Sequence, residues 1–231
     1  MDETTPGSKK WPPSRWPALL ADALRLLRSL PDRPRWSFGG GTALAAQYDH
    51  RVSYDIDIFV RDSDLLRDLT PARNAATRAL LAGRGFEYPG NYLKLNLDGG
   101  EIDFIVAGRR TESPTRTWTF DGEEILIETP WEIAIKKIFY RPSSFKVRDL
   151  FDLAAVLDRD PVDLTASLPE VEDRLNKVID RVERMVPDYA EAAASDVNPT
   201  EGGQRYMTRN AAEQALSFLK SHRPASLPER S

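Results

Sequence analysis

Two aspartates separated by a single residue, Asp55 and Asp57, have the spacing of a carboxylate pair that can act together. Side chains alternate between apolar and polar from Tyr54 to Val60, which predicts a strand with both carboxylates on one face, about 6.6 Å apart. Two ionised carboxylates at that separation repel each other by roughly 3 kcal/mol at an effective dielectric constant of about 20. A fold tolerates such a pair on an exposed surface or around a divalent cation. Because the intervening residues are apolar and predict a mostly buried strand, we favour the cation.

A third aspartate, Asp103, lies in the apolar segment 101–106. Its neighbours predict a second buried strand, in which an ionised carboxylate without a partner is costly. A site shared with Asp55 and Asp57 removes that cost, because a bound cation would neutralise all three charges. The apolar surroundings of Asp103 therefore support a carboxylate cluster more strongly than either other aspartate does alone.

A glycine-rich turn, Gly39-Gly40-Gly41-Thr42, joins a predicted short strand at 35–38 to a predicted helix. Glycines let the backbone approach a ligand closely, and the N–H groups at the start of a helix attract phosphate. The alternative interpretation is a flexible turn without a ligand. The turn lacks the Gly-Lys-Ser/Thr of a Walker loop and the spacing of a dinucleotide fingerprint.

A cationic segment follows in the second half of the chain. Between residues 136 and 148 there are basic residues and no acidic ones: Lys136, Lys137, Arg141, Lys146 and Arg148. Such a local excess in an acidic protein suits a polyphosphate or a nucleic acid, although a solvated helix face gives the same pattern. Asp149 and Asp152 come next on one predicted helix face, where they either orient the lysines or cap the helix.

Composition excludes several classes of site. The chain has 231 residues, no cysteine and two histidines, so thiol nucleophiles, disulfides, zinc–cysteine sites and multi-histidine metal sites are ruled out. Any metal would be a hard cation held by carboxylates. The formal net charge of -4 argues against a protein that coats DNA. Because no run of about 18 apolar residues and no signal peptide is found, we expect a cytoplasmic protein without a membrane partner.

The predicted fold class is α/β (α+β), a mixed sheet flanked by helices and followed by a helical C-terminal region. Further strands are predicted at 92–97, 101–107 and 123–128, with a hairpin turn at 98–100. Helices are predicted at 17–30, after Gly41, and at 71–83, 129–140, 147–157, from 169 onwards and 210–221, with a loop at 187–205. The sequence Thr129-Pro130-Trp131-Glu132 predicts a capping box. We divide the chain into a flexible arm (1–15), a core (16–128) and a helical region (129–231).

Two groups of motifs, in order along residues 36–157, resemble those of a known family. Gly40-Gly41-Thr42-Ala43-Leu44 and Arg51-x-Ser53-x-Asp55-Ile56-Asp57 are similar to the first motif of polymerase-beta-like nucleotidyltransferases, in particular the AbiEii/AbiGii toxin family. That family's helical motif resembles Ile133-Ala134-Ile135-Lys136, Arg141, Lys146, Arg148-Asp149 and Asp152-Leu153. Asp103 matches the family's isolated third aspartate. The N-terminal arm matches nothing in the family, and the helices after about residue 160 are shorter than the second domain of larger members.

The resemblance implies an enzyme that transfers a nucleoside monophosphate from a triphosphate to an acceptor hydroxyl. It implies that Asp55, Asp57 and Asp103 hold Mg²⁺ (or Mn²⁺), with Asp103 also helping to deprotonate the acceptor. Nucleotide binding falls to Gly40, Gly41, Thr42, Ser53 and Lys136, with Lys136 also counted among the catalytic residues. Supporting roles fall to Arg51, Lys146, Arg148, Asp149 and Asp152.

The resemblance also implies an RNA acceptor, such as tRNA, and a cognate antitoxin in a toxin–antitoxin or phage-defence system. We expect RNA to contact the 136–148 segment together with Arg109, Arg110 and Arg116. Two alternatives stay open. One is a nucleotidyltransferase that modifies a small molecule of the antibiotic type, with an acidic acceptor pocket. The other is a non-catalytic nucleotide-binding interaction module, from which loss of a carboxylate or the lysine would be expected.

Overall fold

A computed structural model describes residues 11–32 and 34–223 and contains a mixed sheet with helices packed against it. Within these ranges the strands are β1 (Trp36–Gly39), β2 (Ile56–Val60), β3 (Phe86–Glu87), β4 (Tyr92–Leu97), β5 (Gly100–Val106), β6 (Thr115–Phe120) and β7 (Glu123–Glu128). They form one sheet in the order β3-β4-β5-β2-β1-β7-β6. Strand β2 pairs antiparallel with β1 and parallel with β5, and β1 is parallel to β7.

The period-two pattern of the central strands separates an apolar face from a polar face. Ile56, Ile58 and Val60 of β2 are fully buried, whereas Asp57 and Phe59 between them are half-buried. Helix α1 covers the apolar face, because the leucines of its amphipathic stripe pack on β2 and β5. The opposite face therefore carries the side chains available for chemistry.

The helices of the described residues are α1 (Trp16–Arg28), α2 (Gly40–Tyr48), α3 (Ser63–Leu69), α4 (Ala75–Leu81), α5 (Pro130–Tyr140), α6 (Val147–Arg159), α7 (Pro161–Ser167), α8 (Glu172–Met185), α9 (Tyr189–Asp196) and α10 (Arg209–Ser221). Short 3₁₀ turns occupy Leu168–Val171, Val186–Asp188 and Glu201–Met207. Helix α5 packs against α2 and α6, which brings the C-terminal helices next to the sheet. This arrangement confirms the predicted fold class.

Several elements differ from the sequence prediction. The helix predicted at 71–83 spans only Ala75–Leu81, because the Asn74 side chain accepts a hydrogen bond from Thr77 N at 2.9 Å and caps it there. Strands β3 and β6 and helices α3 and α7 were not predicted. The loop predicted at 187–205 is wrong, because most of it is helical. Tyr189, Ala193 and Val197 are spaced four residues apart and are all buried, and this apolar stripe stabilises α9.

The predicted capping box is also wrong, although α5 does begin at Pro130. The Thr129 hydroxyl donates to the carbonyl of Ser113 instead of capping the helix. The buried Glu132 carboxylate accepts hydrogen bonds from Arg110 N and from Thr111 N, the latter at 2.8 Å. Both side chains therefore fasten the loop before β6 to the helix.

Residues 1–10 of the predicted arm lie outside the described residues. Within residues 11–15, Ser14 donates a hydrogen bond to the carbonyl of Ser53, and Tyr54 donates one to the carbonyl of Pro12 at 3.1 Å. This stretch therefore contacts the loop that leads to Asp55.

In the part of the chain that the structure describes, every helix is too short or too polar to cross a lipid bilayer.

Candidate functional site

Acidic residues form a row across the centre of the sheet. Asp57 on β2 is the register partner of Asp103 on β5, so the two carboxylates lie side by side on strands about 4.8 Å apart. On the other side Asp57 is the register partner of Gly39, and Glu128 on β7 lies beside that glycine. Asp55 precedes β2, and its Oδ1 accepts a hydrogen bond from Glu101 N at 3.2 Å.

Glycines make this row possible at two positions. A Cβ atom on Gly39 would lie 2.2 Å from Glu128 Oε2, and a Cβ atom on Gly40 would lie 1.9 Å from Asp57 Oδ2. Gly40 also has φ +67°, a conformation that disfavours other residues. The start of α2 therefore approaches the carboxylates as closely as the backbone permits.

A cavity of about 480 Å³ opens over the row of carboxylates. Most of the residues singled out from the sequence line it: Gly40, Gly41, Thr42, Arg51, Ser53, Asp55, Asp57, Asp103, Lys136, Arg148 and Asp149. Five do not: Lys146 caps the start of α6 outside the cavity, Asp152 is buried, and the arginines expected to contact RNA are absent from its lining, namely Arg109, Arg110 and Arg116. Strands and helices distant in sequence thus bring the predicted set to one place.

On the acidic side of the cavity, burial disfavours the ionised form of the carboxylates. Burial, reinforced by the charge of Asp57, raises the pKa of Asp103 to about 7, although Lys94 counteracts part of the rise. Burial and the charge of Asp55 likewise raise the pKa of Asp57. The Oδ1 atom of Asp103 is buried without a hydrogen-bond partner in the described residues. These carboxylates are suited to receive a cation or a proton.

The opposite wall of the cavity is cationic. Arg141 and Arg148 line it, and their charges lower the pKa of Asp57 against the effect of burial. Lys136 is buried; its Nζ bonds to Glu128 and lies 3.7 Å from the centre of the Phe59 ring. Burial raises the pKa of Glu128 to about 7 even though Lys136 opposes the shift. Lys136 thus lies at the cavity wall in an ion pair with Glu128.

A second buried ionic cluster supports the turn at the start of α2. Arg51 holds Asp152 through two nitrogens, with distances of 2.7 Å and 3.0 Å, and its Nη1 donates to Ser53 Oγ. His50 Nε2 lies 2.8 Å from the same carboxylate, and Lys137 bridges Asp149 and Asp152. Although burial alone would raise the pKa of Asp152, the charges of Arg51 and Lys137 and the hydrogen bonds from His50 and Arg51 together hold it well below its usual range.

The two hydroxyls predicted to bind nucleotide are engaged with the protein. Thr42 Oγ1 lies 2.7 Å from Ser53 Oγ and bonds to the carbonyl of Asp55. Both residues are almost fully buried. They fix the loop that carries Asp55, while Gly40, Gly41 and Thr42 at the start of α2 line the cavity.

The donor set fits a hard divalent cation by its chemistry: carboxylate oxygens, side by side, one of them unpartnered. In residues 11–32 and 34–223, however, no three histidine, cysteine or acidic side chains already stand in a group that could hold a metal. A formed metal centre is therefore not part of the described structure, and any metal enters below as a proposal.

Two residues of the site were missed by sequence reasoning. Glu128 ends β7, two residues before α5 begins, and was overlooked as a site residue. Lys94, which lies 3.6 Å from Asp103 in an ion pair, faces it from β4. An acidic residue at the end of an apolar strand was the signal that could have identified Glu128.

The close approach of Gly40 gives a direct test of the geometry. In a Gly40→Ala variant even the Cβ of Asp57 would lie 2.8 Å from the new methyl group, so rotation of the carboxylate does not relieve the clash. Gly83→Ala is a matched control, because Gly83 has φ +88° but open space around it. We expect Gly40→Ala to be about 1–3 kcal/mol less stable than the control by thermal unfolding. Equal stability of the two variants would contradict this packing.

One family model matches most of the chain, and solved structures show a similar fold. A family model described as nucleotidyl transferase AbiEii toxin, type IV TA system, matches residues 24–226. The fold is similar to that of MenT4, a nucleotidyltransferase toxin from Mycobacterium tuberculosis, with a TM-score of 0.50 and 16% identity over 89% of this chain and 84% of that one. JHP933 from Helicobacter pylori is 15% identical over 90% of this chain and 92% of its own, with a TM-score of 0.48. At these identities the likeness concerns the fold. No curated protein matches the sequence significantly.

The family match begins within α1 and extends past the end of α10. It therefore includes the carboxylate row on the sheet and the cationic helices that face it. Because the match spans most of its length, the chain belongs to the AbiEii family of nucleotidyltransferase toxins, as its motifs had indicated.

Proposed function

We propose that this nucleotidyltransferase transfers a nucleoside monophosphate from a triphosphate to a hydroxyl of RNA, such as a tRNA, with Mg²⁺ or Mn²⁺, as the toxin of a toxin–antitoxin pair. The observation that carries the proposal is the register of Asp57 with Asp103 on the floor of a cavity whose other wall carries Arg141 and Arg148. Phosphoryl-type transfers need charge neutralisation and in-line positioning more than covalent help from the protein. This cavity offers both signs of charge across one opening.

In the proposed reaction the acceptor hydroxyl oxygen forms a bond to the α-phosphorus, and the bond from that phosphorus to the bridging oxygen of pyrophosphate breaks. The hydroxyl proton must leave, and pyrophosphate departs with the electron pair. Asp103 is suited to take the proton, because its half-buried carboxylate lies beside Asp57 on the cavity floor. Its unpartnered Oδ1 gives the proton an acceptor.

Asp55, Asp57 and Asp103 would hold the divalent metal. When bound, the metal neutralises the charge of the triphosphate and of the attacking oxygen. The raised pKa values of Asp57 and Asp103 support this assignment, since two neighbouring carboxylates disfavour each other's ionisation unless a cation is present. Glu128 lies farther along the row and already forms an ion pair with Lys136, so we do not assign it to the metal.

The triphosphate would lie between the start of α2 and the cationic wall. Backbone N–H groups of Gly40, Gly41 and Thr42 at the helix start attract phosphate oxygens. Lys136, Arg141 and Arg148 would neutralise the remaining charge, and Asp149 restrains Arg141 at 3.6 Å. Thr42 and Ser53, by contrast, act on the loop, because their hydroxyls bond within the protein. Lys146 has its place at the start of α6 and contributes to the positive field there.

Family membership supports the proposed RNA acceptor, cognate antitoxin and cytoplasmic location, and the geometry adds support for a polyanionic substrate. The 136–148 segment is less free than its sequence indicated, because Lys136 and Lys137 are buried in ion pairs. Of the three arginines expected to contact RNA, Arg110 already stacks within the protein, because its guanidinium carbon lies 3.5 Å from the centre of the Phe139 ring. Arg116 and Arg109 are exposed.

The test of the proposal is incorporation of label from each of the four labelled nucleoside triphosphates into total RNA. We expect one or more of them to label RNA in the presence of Mg²⁺ or Mn²⁺ and none after chelation. Labelling of small molecules without RNA would overturn the RNA acceptor and favour the antibiotic-type enzyme. Binding of triphosphate by calorimetry without any transfer would favour the non-catalytic module.

A further inference from the structure

A second cavity lies directly beyond the wall of the first. It has a volume of about 370 Å³ and occupies the polar face of the sheet where β1, β2 and β7 run together. Phe59, Ala107, Glu128 and Lys136 line both cavities, so the two are continuous at these residues. We call this second cavity the arginine groove, after three of its lining residues: Arg35, Arg61 and Arg109.

The arginines of the groove differ from the other cations near the site. In the part of the chain that the structure describes, Arg35, Arg61 and Arg109 have no ion pair and no side-chain hydrogen bond, and all three are exposed. Arg51 and Lys137, in contrast, are buried in ion pairs with Asp152. Three cations on one groove without an internal partner are available to an external anion.

The groove carries little negative charge to offset them. Glu124 is exposed at its edge, and Glu128 is already neutralised by Lys136. Three positive charges therefore face one free carboxylate. The three arginines lie just before β1, just after β2 and in the segment after β5. Because an isolated anion would need only one or two of them, this spread of charge suits a chain of phosphates.

The floor of the groove is apolar. The Phe59 ring is half-buried, and Leu126 on β7 is 39% exposed although it is a large apolar residue on a strand. Apolar and aromatic side chains between backbone-binding cations are the arrangement by which proteins bind single-stranded nucleic acids, with bases on the floor and phosphates at the rim.

We infer that the arginine groove holds the single-stranded end of the RNA acceptor and leads its terminal hydroxyl into the catalytic cavity. The inference deepens the proposed function and rests on it for the nature of the acceptor. Two observations support the inference. Three arginines without an internal partner surround an apolar floor, and the groove is continuous with the carboxylate cavity through Phe59 and Lys136. A folded acidic protein is the competing occupant, and the experiment below distinguishes the two.

The experiment measures binding of a fluorescein-labelled oligoribonucleotide of about 10 nucleotides by fluorescence anisotropy, without triphosphate. The test variant is Arg35→Ala/Arg61→Ala/Arg109→Ala. The matched control is Lys177→Ala/Arg184→Ala/Arg209→Ala, which removes three exposed cations from α8 and α10, away from the groove. Both variants change the net charge equally, so a difference between them reports position and not total charge.

Each phosphate contact to a single strand contributes a slope of about -0.7 to the dependence of log K on log salt. Removal of three contacts should therefore flatten the slope by about 2, so that the wild type loses about 20-fold more affinity than the variant between about 50 and 200 mM salt. We expect the control to keep the wild-type slope. The melting temperatures of all three proteins should agree closely, because none of the groove arginines makes an internal ion pair and the control loses only the exposed pair of Arg209 with Glu213, which contributes little.

Equal slopes for the test and control variants would overturn the inference, as would a wild type that does not bind the oligonucleotide. The same measurement with labelled polyglutamate identifies the competing occupant. If the groove variant loses polyglutamate binding and keeps RNA binding, the groove is a docking surface for an acidic protein and the inference is wrong. Calorimetric titration with triphosphate and Mg²⁺ reports the proposed function separately, because the groove variant leaves the carboxylate row intact.

Discussion

Replacement of Asp57 by asparagine should lower nucleotidyl transfer about a thousandfold and leave the fold intact. Asp57 lies at the centre of the acidic row, between Asp103 and the glycine of β1, and Gly40 touches its carboxylate. Asparagine keeps the shape of the side chain but removes the charge that would hold the cation. The measurement is the initial rate of label transfer from triphosphate to RNA.

The same substitution should not cost stability, which separates a functional carboxylate from a structural one. Burial raises the pKa of Asp57 above that of the unfolded chain. Such a group destabilises the fold once the unfolded chain releases its proton, so the cost grows as the pH rises above about 4. The melting temperature of Asp57→Asn relative to wild type should therefore be higher at pH 8 than at pH 5.

Asp98→Asn is the matched control for Asp57→Asn. Asp98 is exposed in the turn between β4 and β5. Its ion pair with Arg84 lowers its pKa, whereas the pKa of Asp57 is raised. Transfer by the control should match the wild type, and its relative stability should not rise with pH. Transfer by Asp57→Asn within tenfold of wild type would refute the assignment of Asp57. A fall of several degrees in its melting temperature at pH 8 would give it a structural role instead.

The central strands β2 and β5, with the aspartates on them, could be predicted from the sequence because they depend on local patterns. The alternation through Ile56, Asp57 and Ile58 fixes which side chains share a face, and apolar neighbours place Asp103 on a buried strand. What the pattern leaves open is the register between two strands. The pairing of Asp57 with Asp103 is a tertiary contact, and no local signal in either segment specifies it.

The ionic clusters could not be predicted, since their partners lie far apart in sequence. Arg51 and Asp152 are 101 residues apart, and each looks like an ordinary polar residue in its own segment. Glu132 shows how tertiary structure overrides a local rule: it matches a capping box, yet it binds the backbone of Thr111. The missed α9 has the same cause, because its stability comes from burial of Tyr189 and Ala193 against neighbouring helices.

The buried cluster around Asp152 leads to the second large effect, this time on stability. Asp152 is 1% exposed and accepts bonds from His50, Arg51 and Lys137, whose positive charges or N–H groups have few other partners. Loss of one member of a buried ion pair costs about 3–5 kcal/mol, because the remaining charge is left uncompensated. For a chain of this size Asp152→Asn should lower the melting temperature by about 10 °C.

Asp158→Asn on the same helix provides the control for Asp152→Asn. Asp158 pairs with Arg205 while half-exposed, and such pairs contribute about 1 kcal/mol or less. In a double-mutant cycle, Arg51→Gln should cost much less in the Asp152→Asn background than in the wild type, because its partner is already gone. Additive effects of the two substitutions would show that Arg51 and Asp152 do not depend on each other.

The pH dependence of this effect has a definite sign. The pKa of Asp152 is held far below its usual range, so its contribution is complete at neutral pH and is lost as the pH falls. Burial lowers the pKa of His50, so acid also favours the unfolded chain, in which that imidazole can take a proton. Wild type should therefore lose stability faster than Asp152→Asn below about pH 4, where the unfolded aspartate takes up its proton, and the gap between their melting temperatures should narrow from about pH 4 to pH 2. If the difference in melting temperature stays constant over that range, the Asp152 side chain contributes to stability through packing and not through its charge. Arg51 would then brace the start of α2 by packing alone.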